Sequence, residues 1–298
     1  MAELAIAVPA ATPRRHGPVV GFIIRLCREK PLGAAGAVIF VLFLLCGLFA
    51  GWLAPYGMNE INPINRMKAP SAAFPLGTDY LGRDQLSRLL YGAQLSVIIG
   101  FGAASLATAI SILLGIVSGY LGGRVDLIVQ RFVDAWQSFP GLVVLIVAVA
   151  VLGPGMPQVI GVLGLLYGIA GSRIVRGAVV SVRENTYVHA AQSIGASTLW
   201  ILWRHILPNV MPVVIVLFTA RVGATILAES GLSFLGLGVP PPAPTWGGML
   251  TGSSRAYMYQ GPWLALAPGL ALTIVVYAVN VFGDALRDLL DPRMRGTR

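Results

Sequence analysis

The stretch that decides the fold is Tyr187–Asn209, YVHAAQSIGASTLWILWRHILPN. It is polar in a chain that otherwise avoids polarity, and uncharged apolar runs lie on both sides of it. Tyr187–Ile194 has the composition of a short helix, Gly195 can supply the left-handed turn that closes it, and Ser197 or Thr198 can cap a second helix before Pro208. Ala190 and Ala191 leave the first helix with a shallow face. A shallow face followed by a glycine turn predicts a docking element, a short helix that sits close in a groove of another protein.

Outward from this stretch, the composition sets the class. The chain has 298 residues, 56% of them hydrophobic and only 11% charged, against roughly 25% charged in ordinary soluble domains, so it reads as an all-α integral membrane protein. The net charge of +9 does not point to nucleic acid, because the arginines flank apolar runs and gather into no patch with interleaved aromatics. Cys27 and Cys46 carry neither metal spacing nor a disulfide framework.

Six spans follow from the apolar runs. Residues 1–31 form a polar, arginine-bearing lead, and 32–54 an uncharged first span. Residues 55–88 are a polar, proline-rich loop; a five-helix core then fills 89–288, with the docking loop at 177–209 and a tail at 289–298. Span two centres on Ser96–Tyr120, with Gly115 and Gly119 on one face for close helix contact. Arg124, Asp126 and Arg131 read as a short polar loop. The 38 uncharged residues of Ala135–Ser172 exceed one span, and Gly153-Pro154-Gly155 divides them into spans three and four. Pro140 should kink span three, and Gly164 and Gly168 give span four a second small-residue seam. Arg173 and Arg176 end span four, span five is Val210–Gly238, and span six is Pro262–Gly283. Arg221 and Glu229 lie inside span five, where charge is costly unless paired or hydrated; eight residues apart on one helix, they do not face each other. They are the candidate pathway residues, and a structural polar contact is the other reading of each.

The charge rule orients this array. With the N-terminus and the docking loop on the cytoplasmic side, 15 Lys or Arg fall inside and five outside, with Arg221 within a span. Both termini are then cytoplasmic.

Four motifs add a resemblance. The order Ala190-Ala191, three residues, Gly195, eleven residues, Leu207-Pro208 resembles the EAA loop of permease subunits in binding-protein-dependent ABC importers. His189 stands where that family usually has glutamate, a departure that bears on any acid-dependent contact. Pro75-Leu76-Gly77-Thr78-Asp79 with Gly82-Arg83-Asp84, the Leu232–Gly238 tail with Trp246-Gly247, and Asp284–Asp288 with Asp291-Pro292 are similar to the dipeptide and oligopeptide branch. The resemblance implies a type I importer permease in a bacterial inner membrane. It implies four kinds of neighbour: a second, homologous permease subunit, two ATP-binding subunits docked through the loop, an extracytoplasmic substrate-binding protein, and lipid. It also implies ATP and Mg on the partner subunits and no cofactor on this chain.

The residues themselves propose no catalytic centre. Lys30 and Lys68 are the two lysines, and neither sits in a phosphate-binding loop. His16, His189 and His205 have no carboxylate or cysteine cluster around them in sequence. An ATP-independent secondary transporter or channel is the alternative; it would call for repeat symmetry or several intramembrane acids. A purely structural scaffold is the third class.

Overall fold

The structure, a computed structural model, describes residues 17–290. Arg14, Arg15, His16, the Asp291-Pro292 pair, Arg293, Arg295 and Arg298 lie outside the described residues. The chain runs α1 (Pro18–Glu29), α2 (Pro31–Leu48), α3 (Ala50–Leu53), α4 (Gln85–Leu121), α5 (Gly123–Gln137), α6 (Gly141–Leu152), α7 (Met156–Arg183), α8 (Thr186–Ser193), α9 (Thr198–Ile201), α10 (Leu207–Phe234), α11 (Trp246–Met249), α12 (Ser253–Tyr257) and α13 (Trp263–Leu290). No strand occurs among the described residues.

Among the described residues, five helical segments are long and apolar enough to cross a membrane: α2, α4, α7, the continuous Thr198–Phe234 segment that ends in α10, and α13. The pair α5 and α6 is apolar enough only when taken together and is bent by 84°, a broken span or a re-entrant loop. The bend has a local cause. Pro140 lacks an amide donor and pushes Phe139 out of helical geometry, so α5 stops at Gln137 and α6 restarts at Gly141. With 12 residues, α6 covers about 18 Å at 1.5 Å per residue, short of a 30 Å hydrocarbon core, so neither half crosses alone. Where the sequence predicts span three with a kink at Pro140, the chain forms two helices with a sharp break there.

Other sequence expectations shift in the same way. The polar loop expected at Arg124–Arg131 is helix α5, whose charges are spent on α7: Asp126 accepts from Arg176 Nε at 2.6 Å, and Asp134 pairs with Arg173. The first span expected at 32–54, by contrast, coincides with α2 and the short α3, joined through Phe49. The expected polar lead contains α1, whose Leu26 packs against Ala285 and Leu289 of α13. Lys30 Nζ donates to Asp288 Oδ2 at 2.5 Å beside it. Span four does not end at Arg176, since α7 runs on to Arg183.

The core is built on α4 and α7. The two glycine seams expected separately on spans two and four meet each other's helix. A Cβ at Gly115 would lie 2.7 Å from the Val175 Cβ, and one at Gly119 would lie 2.9 Å from the Val179 Cβ. One at Gly168 would lie 2.7 Å from the Ile110 Cβ, and Gly164 faces Leu106. Small residues let two backbones approach closely where lipid gives no hydrophobic reward for association. Helix α10 packs beside this pair: Thr225 Oγ1 donates to Gly100 O at 3.1 Å, and Ile226 lies over Gly100.

Away from the Tyr187–Asn209 loop, the Pro75–Asp84 motif closes the start of α4. Asp79 Oδ1 accepts from the amides of Leu81 and Arg83 at 2.8 and 2.9 Å, and its Oδ2 accepts from Arg83 Nε at 2.6 Å. Asp84 caps α4 by accepting from the Ser87 amide at 2.7 Å. Trp263 Nε1 donates to Thr78 O at 3.0 Å and Trp246 Nε1 to Leu89 O at 3.0 Å, so α13 and α11 are pinned to the same knot. Asp79, Arg83 and Asp84 are all buried, which makes this motif structural.

The seam is open to test. Gly115→Leu forces α4 away from Val175, and an overpacked contact of this kind costs about 1–3 kcal/mol, so the detergent-solubilised protein should unfold at a lower temperature. Gly161→Ala meets no atom within 4 Å and should leave the melting curve where it is. Equal curves for Gly115→Leu and wild type would mean that the seam does not carry the bundle.

Candidate functional site

The predicted docking helix is α8, and the turn after it is built as the sequence implies. Gly195 has φ +80°, and three bonds close the helix: Ile194 N to Ala190 O at 3.2 Å, Gly195 N to Gln192 O at 3.0 Å and Ala196 N to Ala191 O at 3.0 Å. The last two are the paired bonds of a Schellman ending, which requires a left-handed residue at this position. A Cβ on Gly195 would meet nothing within 4 Å, so the requirement there is for backbone conformation and not for space. Ser197 caps the next helix, accepting from the Trp200 amide at 3.4 Å.

The two alanines part company. Ala190 is exposed, whereas Ala191 is buried and belongs to a cluster with Val188, Ile201, Ile206 and Val210 of the loop and Val175 and Val179 of α7. The expected shallow face made by both alanines is thus halved, because an i, i+1 pair cannot share one face of a helix. The second loop helix does not end before Pro208 either. A π turn at Leu202–Ile206 carries α9 into α10, and Pro208 falls in the first turn of α10, where its missing amide costs no bond. Residues 184–197, which contain α8, join α7 to α9.

What remains outside is a compact surface. His189, Ala190, Gln192 and Ser193 are exposed, and Ile194 is 83% exposed at the tip. His189 Nε2 lies 3.9 Å from Glu184 Oε2, so a carboxylate stands beside the position that lacks one. Tyr187 and Trp200 both lie against His205, with ring centroids 5.6 and 5.0 Å apart. Leu199 and Trp203 are exposed to the side, along an apolar groove with Ile112 and Ile116 of α4. Leu207 is half-buried and Pro208 exposed at the mouth of α10.

The loop is tied to the bundle below it. Arg183 Nη1 donates to Gly119 O at 3.2 Å and Tyr120 O at 3.1 Å, the last carbonyls of α4. Asn185 Nδ2 donates to Ser181 O and Val182 O, and Gln192 Nε2 reaches the Tyr120 hydroxyl at 3.4 Å. Helix α8 is thus fastened to the ends of α4 and α7, and through the π turn to α10.

With that geometry established, the chain can be set against known proteins. The model of the family described as the inner membrane component of binding-protein-dependent transport systems matches residues 111–296. The chain belongs to this family. Residues 22–70 of this permease match the N-terminal transmembrane domain of oligopeptide transport permease C. The permease is 38% identical over 268 residues to a dipeptide transport system permease of Alkalihalophilus pseudofirmus, covering 90% of this chain and 88% of the relative. It is 41% identical over 273 residues to a glutathione transport system permease of Escherichia coli, covering 91% and 90%. Its fold is similar to a chain of an inward-facing methionine ABC transporter at TM-score 0.56 and 17% identity, covering 68% of this permease and 96% of that chain. The type I permease fold and a multi-pass place in the inner membrane follow.

The two intramembrane ionisable groups are separate sites. Glu229 of α10 is fully buried and accepts from the Ser233 hydroxyl at 2.6 Å and the Ser230 hydroxyl at 3.4 Å on its own helix, which satisfies it structurally. Arg221 lies on another face, with its guanidinium 5.0 Å from the Tyr167 ring. Among the described residues, no group of three metal-ligating side chains comes together. Sequence reading missed Ile194 as the tip of α8; an isoleucine directly before the turn glycine of a polar loop was its signal.

Ala191 and Ala190 separate packing from contact. Ala191→Leu overfills the cluster beneath α8 and should raise hydrogen exchange across residues 186–197. Ala190→Leu projects outward and should leave exchange there unchanged, and the reverse ranking would invert the assignment of the two faces.

Proposed function

We propose that this permease forms half of the translocation pathway of an ATP-driven importer for di- or oligopeptides and is worked through α8 and the Gly195 turn. A second, homologous permease subunit supplies the other half. Two ATP-binding subunits, which hold ATP and Mg, receive the His189–Ile194 surface, and an extracytoplasmic binding protein delivers solute at the end that carries the Pro75–Asp84 knot. The N-terminus, the 177–209 region and the C-terminal tail lie on the cytoplasmic side, and 55–88 lies outside.

One observation carries the coupling: Gln192 of α8 reaches Tyr120 at the end of α4, the α8 cap residue Asn185 bonds to the last turn of α7, and α8 shares a buried cluster with α7 and α10. A push on α8 therefore reaches three spans at once. The dipeptide and glutathione permeases supply the solute class, since both are named for small peptides. The His189 departure leaves the docking shape to Ala190, Gly195 and Ile194, with Glu184 as the acid at hand.

Gly195→Val places a β-branched residue in a left-handed turn at a cost of about 1–2 kcal/mol, which tilts α8 out of its seat. The spans keep their own backbone bonds. Affinity-tagged Gly195→Val should recover the second permease subunit normally, recover less ATPase, and lose uptake. Normal ATPase recovery together with normal uptake would remove α8 from the coupling.

Orientation is tested by thiol labelling after Cys27 and Cys46 have been replaced by serine. A cysteine at Ser71 should react with an impermeant reagent in intact cells and one at Ser197 should not. Reaction at Ser197 under those conditions would reverse the topology.

A further inference from the structure

Arg221 sits 14 residues after Leu207 and 13 before Phe234, the two ends of α10, which puts it at the middle of the span. A cation at that depth is costly against lipid, so the face that carries it is one covered by protein or water. No hydrogen bond or ion pair joins Arg221 to another described residue, and its Nε is buried without an acceptor. What holds it is the Tyr167 ring at 5.0 Å and the bare backbone of Gly171, where a Cβ would come within 3.3 Å of Nη2. The nearby Ser111 hydroxyl is already committed, donating to Gly168 O at 2.7 Å.

This support is chemically unusual. A carboxylate would fix the guanidinium and cancel its charge; an aromatic face fixes it and leaves the charge in place. Toward the docking loop a cleft of about 450 Å³ runs between α7, α10 and α13, bounded by Ile174, Val216, Leu217 and Ala220, with Arg287 as its one charged lining residue. Leu217 lines that cleft and also lies 3.4 Å from the Cβ position of Gly171, so the cleft begins beside Arg221. Cleft volumes of this order suit small ligands.

We infer that Arg221 receives the carboxylate of the passing solute at mid-membrane, and that the cleft ending at Arg287 is its route toward the docking loop. The inference rests on the proposed peptide importer and names the group that importer grips. The bond is charge-assisted, and with the cation's other support uncharged, no described residue competes for it.

The test uses the complete transporter, with its partner permease, ATPases and binding protein, in proteoliposomes. The probe is a library of dipeptides with free carboxylates, read by mass spectrometry. Arg221→Gln should lower the maximal uptake rate about tenfold or more, the worth of one charge-assisted bond. The KM and the ATP hydrolysis stimulated by binding protein should not change. Arg221→Lys keeps the charge but loses the planar fork, and should fall less far than Arg221→Gln. Unchanged uptake by Arg221→Gln overturns the inference, as does Arg221→Lys falling as far as Arg221→Gln. Loss of the second permease subunit from tagged Arg221→Gln also overturns it, because the cation would then be pairing with an acid of that subunit. Wild-type complex that imports only solutes without a carboxylate overturns it too. Wild-type complex that shows no ATP-driven uptake, or recovers no ATPase, removes the importer reading beneath it.

Discussion

The close approach of α4 to α7 is the contact on which the rest of the structure depends. Both helices present glycine where the other presents a branched side chain, at Gly115, Gly119, Gly164 and Gly168. In lipid the hydrophobic effect does not drive helices together, so the gain comes from dispersion between surfaces that fit. Fit also fixes register. A one-residue rotation of either helix would set β-carbons against β-carbons along the whole seam. Everything placed by α4 and α7 inherits that register, including the Arg183 bonds to the last carbonyls of α4 and the ion pairs that hold α5 against Arg173 and Arg176.

Most of the fold was legible because span length, proline position and glycine spacing are local signals. Gly195 shows the case at its best: a glycine after eight helical residues, with Ser197 two residues on, leaves few other turn geometries. Helix α5 was not legible for a matching reason. Its charges, Arg124, Asp126 and Arg131, look like loop punctuation in sequence, and only the α7 arginines they face turn Asp126 and Asp134 into packing groups. The alanine pair was misread because adjacency in sequence was taken for a shared face, when successive helical residues point about 100° apart. The continuity of α9 with α10 was hidden by Pro208, which reads as a stop in sequence and is harmless in a first turn.

The buried polar groups divide by how they are satisfied. Asp79 and Arg83 pair with each other and Asp84 caps α4 on Ser87, so all three spend their charge on structure. Glu229 is closed on two hydroxyls of its own helix. Arg221 alone in this set is held without an anion. That contrast separates the groups that build the bundle from the one that keeps charge to spare, and none of it depends on sequence spacing.

The π turn at Leu202–Ile206 has a mechanical meaning. Because it joins α9 to α10 without a break, Thr198–Phe234 is one rod of 37 residues, about 55 Å long. Its two ends are engaged by different parts of the chain: the loop cluster around Ile201 and Ile206 at one, and the close seat of Gly247 on Ser230 near the other. A π turn is also the place where a helix most readily gains or loses a residue of winding. The rod therefore joins the loop to the far seat as a drive shaft joins two couplings, and its winding is irregular at two places near the loop end, the π turn and Pro212.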